Sequence, residues 1–298
     1  MTDRLYQPSA IKDILSRYQF TIKKSFGQNF LTDAHVLQDI IELASGELND
    51  VRACGILEIG PGMGTLTSAL AQAGFGQILA VEKDRQLLPI LSETVGSYAN
   101  VQVIQADGLE LTKDVVMEHL SGYSHIRLIA NLPYYITTPL LMSMLESDIP
   151  FDRLVVMVQR EVAERIVAPP GGKIYGALSV AVQYYTQPSI ARIVTPGCFM
   201  PPPNVESAIV VLDVHDAPLF PELNRQMYFK IVRGAFAKRR KTLANSIAQE
   251  FSELTKTDVL RWLIDAGIDE KRRGETLSLN EFAKLCAAYP SGSGGREM

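Results

Sequence analysis

Cysteine, histidine and tryptophan are scarce in this 298-residue chain, which has three, four and one of them. Cys54, Cys198 and Cys286 stand far apart, without the paired spacing of a zinc site. An odd, sparse set also argues against a disulfide framework and fits a reducing compartment. His35, His119, His125 and His215 are equally scattered, so no metal is expected. No apolar run approaches the roughly 20 residues that a membrane-spanning helix needs. The opening "MTDRLYQPSAIKDIL" is too mixed and charged for a secretory signal. The expectation is a cytoplasmic protein with no membrane partner. Net charge is only −4, so no globally basic surface advertises nucleic acid. Repeats are absent, and only the closing "SGSGGREM" (291–298) reads as a disordered tail.

What is present is ordinary in bulk and ordered in pattern. Hydrophobic residues make up 47% and charged residues 21%, and the length suits about two domains. Short β-branched runs recur at 55–59, 77–82, 101–105, 126–130 and 153–158. Between them "TLTSALAQA", "DRQLLPILSETV" and "TPLLMSMLES" have helical spacing. This alternation predicts an α/β fold with a doubly wound, mostly parallel sheet covered on both faces. "SIARIV" (189–194) and "SAIVVLDV" (207–214) are expected to add an antiparallel edge pair. Beyond about residue 213 only helical patterns follow. The expected division is therefore an α/β domain over 1–213 and a small all-helical domain over 214–290.

Chemistry-bearing residues recur where the strands should end. The first run leads into "LEIGPGMGTLT", with glycines at 60, 62 and 64. A dinucleotide fingerprint would place its third glycine at 65, which is Thr65. The spacing Glu58-x-Gly60-x-Gly62-x-Gly64 resembles instead the loop of S-adenosylmethionine-dependent methyltransferases. The second run ends in "VEKD" and the third in "QADGLEL". Glu82 there is either a capping acid or an acceptor for ribose hydroxyls. Asp107 is either an Asx-turn residue or an acceptor for an adenine amine. Open sheets bind ligands along that carboxyl-terminal edge.

The fourth run leaves through "NLPYYITTP" (131–139). A plain strand-to-helix turn is one reading, since Pro ends a ladder and Asn favours turns. The other is a loop that grips a flat ring carrying an amino group. Such an amine is a poor nucleophile because its lone pair is delocalised into the ring. The Asn131 side-chain oxygen and the Leu132 carbonyl could accept from it and release that lone pair. Pro133 would remove a competing donor and stiffen the turn, and Tyr134 could stack on the base.

Ordered segments across most of the chain resemble the ribosomal RNA adenine dimethyltransferases, specifically the small-subunit enzymes. They are "KKSFGQNFL", "LEIGPGMGTLT", "VEKD", "QADGL", "NLPYYITTPLL", "MVQREVAERI", "YGALSVAVQYY", "FMPPPNVESAIV" and "FAKRRKTLANSI". The resemblance implies a Rossmann-like S-adenosylmethionine-dependent methyltransferase domain carrying the small helical domain. It implies dimethylation of N6 on two adjacent adenosines near the 3′ end of 16S ribosomal RNA. S-adenosyl-L-methionine is the implied cofactor, and the small ribosomal subunit the implied partner of a monomer. Asn29 and Leu31 would close over the methionine end of the cofactor, with Gly60 and Gly62 beneath it. Glu82 would hold its ribose and Asp107 its adenine. Asn131, which would also line the cofactor site, and Tyr134 would take the target base, with Phe199 stacking on the other face. Where many relatives carry Arg, this chain has Ala177.

From Arg225 to Lys241 there are seven Lys or Arg and no acid. Read as one amphipathic helix, this stretch puts Lys230, Arg233, Arg240 and Lys241 on an exposed face, with Lys238 in the same run. Together with Lys23 and Lys24 that face is expected to meet RNA phosphates. Two other readings share the motifs: a large-subunit adenine methyltransferase of the antibiotic-resistance type, and a mainly non-catalytic ribosome-assembly factor. A nicotinamide-dependent oxidoreductase is compatible with the fold alone.

Overall fold

A computed structural model of the chain describes residues 5–22, 28–238 and 240–290. The first elements are α1 (Pro8–Arg17), β1 (Phe30–Leu31), α2 (Ala34–Ser45), β2 (Cys54–Ile59), α3 (Thr65–Gln72), β3 (Gln77–Glu82) and α4 (Leu88–Thr94). Next come β4 (Val101–Gln105), α5 (Lys113–Leu120), β5 (His125–Asn131), α6 (Thr137–Glu146), β6 (Arg153–Gln159), α7 (Arg160–Ile166) and α8 (Ala177–Tyr185). The chain ends with β7 (Thr186–Val194), β8 (Phe199–Met200), β9 (Ser207–Val214), α9 (Arg225–Phe236), α10 (Leu243–Glu250), α11 (Lys256–Asp265) and α12 (Leu279–Ala287).

Two compact units result. One takes the chain to Ala163 and again from Gln187 to Val214; the other takes Glu164–Thr186 and resumes at His215. Segment 164–186 thus falls with the helical unit, on the other side of the single cut expected near 213. Aromatic burial is the reason. The Tyr184 ring lies 4.9 Å from that of Tyr228 on α9, and the Tyr175 hydroxyl donates to the Leu277 carbonyl at 3.0 Å. The tail at 291–298 lies outside the described residues.

The first unit is built on a seven-stranded sheet of order β4-β3-β2-β5-β6-β9-β7. β2 runs parallel to β3 and β5, β3 to β4, and β5 to β6. All six residues of β2 are buried, as a central parallel strand covered on both faces requires. β9 runs antiparallel to β6 with Ser207 opposite Gln159. It is not itself the edge: β7 lies outside it, with exposed and half-buried residues alternating between two buried ends. β1 and β8 form a separate two-residue ladder, Leu31 opposite Phe199, too short to show in hydrophobic periodicity.

At the amino-terminal edge of the sheet, two guanidinium groups close the end of α2. Arg127, 6% exposed, donates from Nη1 to the Ala44 and Ser45 carbonyls at 2.7 and 2.9 Å, and from Nε to Asp152 at 2.9 Å. Arg153 reaches the Leu43 carbonyl at 3.2 Å and Asp213 at 2.7 Å. Cations at a helix carboxyl terminus satisfy its last carbonyls and oppose its dipole.

The helical unit packs α8 to α12 around buried Tyr228, Phe251, Trp262 and Phe282. Trp262, the chain's single tryptophan, donates from its indole to the Leu285 carbonyl at 2.8 Å. Among the described residues, no helix is long and apolar enough to cross a membrane.

Arg127→Ala leaves two helix-end carbonyls and a carboxylate without their buried donor. It is expected to destabilise the α/β unit by about 3 kcal/mol. Thermal unfolding followed by circular dichroism measures this, while Trp262 fluorescence reports the helical unit.

Candidate active site

A cleft lies at the carboxyl-terminal edge of the sheet, where β2, β3, β4 and β5 end. Crossing from β2 to β5 reverses the direction in which the sheet is built, and such reversals open ligand crevices. Asn29, Leu31, Gly60, Gly62, Glu82, Asp107, Asn131, Leu132, Pro133 and Tyr134 all line it. So do Gln28, Glu58, Thr65, Lys83 and Tyr135.

Gly60, Gly62 and Gly64 have φ of +71°, +60° and +85°, the left-handed region where a side chain is strained. At Gly62 an added Cβ would also lie 3.2 Å from the Phe30 ring. The loop therefore presents bare backbone ahead of α3.

β5 ends on a defined rung. The Leu132 N–H donates to the Met157 carbonyl at 3.1 Å, and Pro133 follows without a donor. The Pro133 carbonyl accepts from the Ile136 N–H at 3.2 Å and the Thr137 hydroxyl at 3.0 Å, turning the chain into α6. Asn131 donates from Nδ2 to the Asn29 carbonyl at 3.2 Å. A carbonyl can only accept, so this bond assigns the amide orientation and leaves Oδ1 as the acceptor for a ligand in the cleft. The same bond ties the segment before β1 to the exit of β5.

The acids differ in state. Glu58 is 1% exposed, and its Oε2 is buried without a hydrogen-bond partner. Burial, with a contribution from the Glu82 charge, pushes its carboxyl up to about 8. Glu82 accepts from the Asp84 N–H at 2.7 Å and the Gly62 N–H at 3.4 Å. Burial outweighs these bonds and raises it to about 7. Asp107 pairs with Lys83 at 2.5 Å and accepts from the Leu109 N–H at 3.1 Å. The ammonium beside it holds its carboxyl below the usual range. Glu82 and Asp107 thus both make the local turn contacts that their bland readings foresaw, while facing the cleft. Thr65 Oγ1 is a second buried atom without a partner on the cleft wall. Buried polar atoms in native folds are nearly always satisfied, so two such orphans fit a polar ligand. Among the described residues no group of three His, Cys, Asp or Glu could hold a metal ion.

A sequence model of the family described as "Ribosomal RNA adenine dimethylase" matches residues 19–289. The chain belongs to that family. It is 46% identical over 282 residues to "Ribosomal RNA small subunit methyltransferase A" of Staphylococcus aureus (strain bovine RF122 / ET3-1), covering 93% of each chain. The JH9 strain's protein of the same name matches to the same extent. Among solved structures, a dimethyladenosine transferase from Plasmodium falciparum superposes with TM-score 0.71 at 24% identity, over 86% of this chain and 95% of that one. The 23S rRNA methyltransferase ErmE superposes with TM-score 0.63 at 22% identity, over 88% and 100%. At those identities the two structures speak for the fold, which is the Rossmann-like methyltransferase fold. Membership of the adenine dimethylase family implies a methyl donor of the S-adenosylmethionine type.

Phe199 is the expected member of the adenine dimethylase site that the structure does not bring to the cleft wall. It is 4% exposed, sits opposite Leu31, and packs with Val36, Ile40 and Ile209 in the core. The basic stretch also needs correction. It is not one helix: α9 ends at Phe236, and Lys238, Arg240 and Lys241 sit exposed on the following turn. α10 must fold back at once, because the Ser246 hydroxyl donates to the Gly234 carbonyl at 2.7 Å. Lys230 is not an open cation. It pairs with Glu253 at 3.1 Å and lies 4.2 Å from the centre of the Phe251 ring. Arg233 is exposed in the last turn of α9. Lys23 and Lys24 lie outside the described residues.

Glu58, Thr65 and Lys83 line the site without having been assigned a role. Glu58 was legible, since an acid within "GILEI" must be buried with its strand. Lys83 gave no signal beyond following Glu82.

Glu58 makes a pH test. Its folded value near 8 exceeds its unfolded value near 4.5, so the folded state keeps the proton longer. Its contribution to stability is complete below the unfolded value and is lost as pH rises through the folded one. The stability of wild type relative to Glu58→Gln is expected to fall by up to about 4 kcal/mol between pH 4.5 and 8. Parallel melting curves for the two proteins across that range would test it.

Proposed function

We propose that this protein transfers methyl groups from S-adenosylmethionine to N6 of two adjacent adenosines near the 3′ end of 16S ribosomal RNA, acting on the small subunit. Membership of the adenine dimethylase family supports the reaction, and relatives at 46% identity named for the small subunit support the substrate. The observation that carries the chemistry is the Asn131 amide, held by the Asn29 carbonyl with its oxygen left for the cleft.

The cleft's residues fit the cofactor. Glu82 would accept from ribose hydroxyls and Asp107 from the adenine amine. The orphaned oxygens of Glu58 and Thr65 would take the remaining polar groups, and Gly60 and Gly62 would admit them to bare backbone. Asn29 and Leu31 would cover the methionine end. When bound, S-adenosylmethionine supplies an electrophilic methyl group on a sulfonium.

The chain's own residues prepare the nucleophile. Asn131 Oδ1 and the Leu132 carbonyl accept from the two N6 hydrogens and draw the nitrogen's lone pair out of the ring. Pro133 keeps a competing donor away, and Tyr134 supports the base as a plate. Attack makes the amine acidic, so orientation and charge placement carry the catalysis without a strong base. The monomethylated amine keeps one N–H, so one acceptor still engages it in the second transfer. The base must be unstacked to reach the cleft. Lys238, Arg240 and Lys241 would contact RNA phosphates from the turn after α9.

Asn131→Ala is expected to bind the subunit normally and, at saturating cofactor, to lose roughly 100-fold or more in methyl transfer. The assay is labelled S-adenosylmethionine with under-methylated small subunits, followed by mapping of the modified base. Undiminished transfer would remove Asn131 from the mechanism, and label in large-subunit RNA would overturn the substrate. Separately, neutralising Lys238, Arg240 and Lys241 together should flatten the dependence of log K on log salt by about 2 units. An unchanged slope would exclude this turn from the RNA interface.

A further inference from the structure

The Tyr134 hydroxyl lies 2.5 Å from the Ser207 hydroxyl. Neither the family's chemistry nor the cleft wall assigns anything to Ser207. It opens β9, is 0% exposed, and stands opposite Gln159 at the carboxyl-terminal end of β6. Its backbone is fixed from both sides. The preceding Glu206 carbonyl accepts from the Arg160 N–H at 2.9 Å, and the Glu206 carboxylate pairs with Arg160 at 2.8 Å. Tyr134 leaves β5, the strand on the opposite flank of β6. The hydroxyl pair therefore bridges the end of β6 and holds a half-buried cleft residue to a fully buried anchor.

An aromatic plate works by orientation. A ring free to swing about its side-chain torsions offers a base many poses, and few of them direct an amine at two fixed acceptors. A hydrogen bond at the far end of the ring removes that freedom without touching the stacking face. We propose that Ser207 is a positioning residue for methyl transfer, holding the Tyr134 ring in the orientation that the target base meets. This rests on the reading of Tyr134 as the plate for that base.

The test is a double-mutant cycle on the full chain, with under-methylated small subunits as substrate. Wild type, Ser207→Ala, Tyr134→Phe and the double variant are compared for kcat and KM, with melting temperatures recorded alongside. Tyr134→Phe keeps the ring and loses only the tether, from the cleft side, so it tests the bond even if Ser207→Ala folds poorly. Each single variant is expected to lose about 3- to 10-fold in kcat with KM unchanged. The double variant should lose no more than either single, because both remove one bond. Losses that multiply, or a Tyr134→Phe protein with wild-type kcat, would overturn the tether. Tyr134→Ala separates the two ideas. If it turns over at the wild-type rate, the plate itself is gone and the tether with it. A severe loss in Tyr134→Ala beside multiplying losses in the cycle would sink the tether and leave the plate standing.

Discussion

One ladder rung, from the Leu132 N–H to the Met157 carbonyl, decides where β5 stops. The next residue is Pro133, which has no hydrogen to donate, so pairing cannot continue. Asn131 is thereby held as the last strand residue, opposite Met157, with Leu132 already leaving the sheet. Side chains on a strand alternate between faces, so a slip of one residue would turn Asn131 away from the cleft. The Asn131–Asn29 bond, the turn into α6 and the Tyr134 tether all assume this register. A short loop can hold two acceptors in fixed relation only because a buried parallel sheet fixes its first residue.

Burial and partners then separate the three strand-end acids. Glu58 and Glu82 are enclosed and resist ionisation, whereas Asp107 is kept ionised by Lys83. All three line the cleft. The oxidoreductase reading that the fold alone permits fails on membership of the adenine dimethylase family. The proposed cofactor, a cation with hydroxyl and amine groups, would meet these acids, and proton release from Glu58 or Glu82 would accompany its binding.

Much of this was legible in residue order. The five parallel strands follow β-branched runs whose bounds match within a residue; β2, β3, β5 and β6 are buried almost throughout and so are mostly apolar, while β4 at the edge is not buried. The glycine loop, Glu82, Asp107 and "NLPY" could be placed on one edge because βα alternation sends every strand the same way. Three things were not legible. β1 and β8 are two residues long and hold together through a ladder between distant segments. Segment 164–186 belongs to the helical unit through Tyr175 and Tyr184, whose partners Leu277 and Tyr228 lie far along the chain. The break after Phe236 follows from how α10 packs on α9, and helical periodicity carries no record of a neighbour. Phe199 shows a related limit, since an aromatic before a proline turn reads alike whether it faces a ligand or the core.

In the proposed mechanism a site made of acceptors would also choose its base. Adenine and cytosine would present an exocyclic amine to the Asn131 oxygen and the Leu132 carbonyl. Uracil at the corresponding position would present another oxygen, and two acceptors facing an acceptor would go unsatisfied. The carbonyl of Leu132 belongs to the backbone and is set by the register of β5, so no side-chain change at position 132 alone removes it. In that proposal, selection of the base and activation of its nitrogen would share one geometric cause, the strand ending at Asn131.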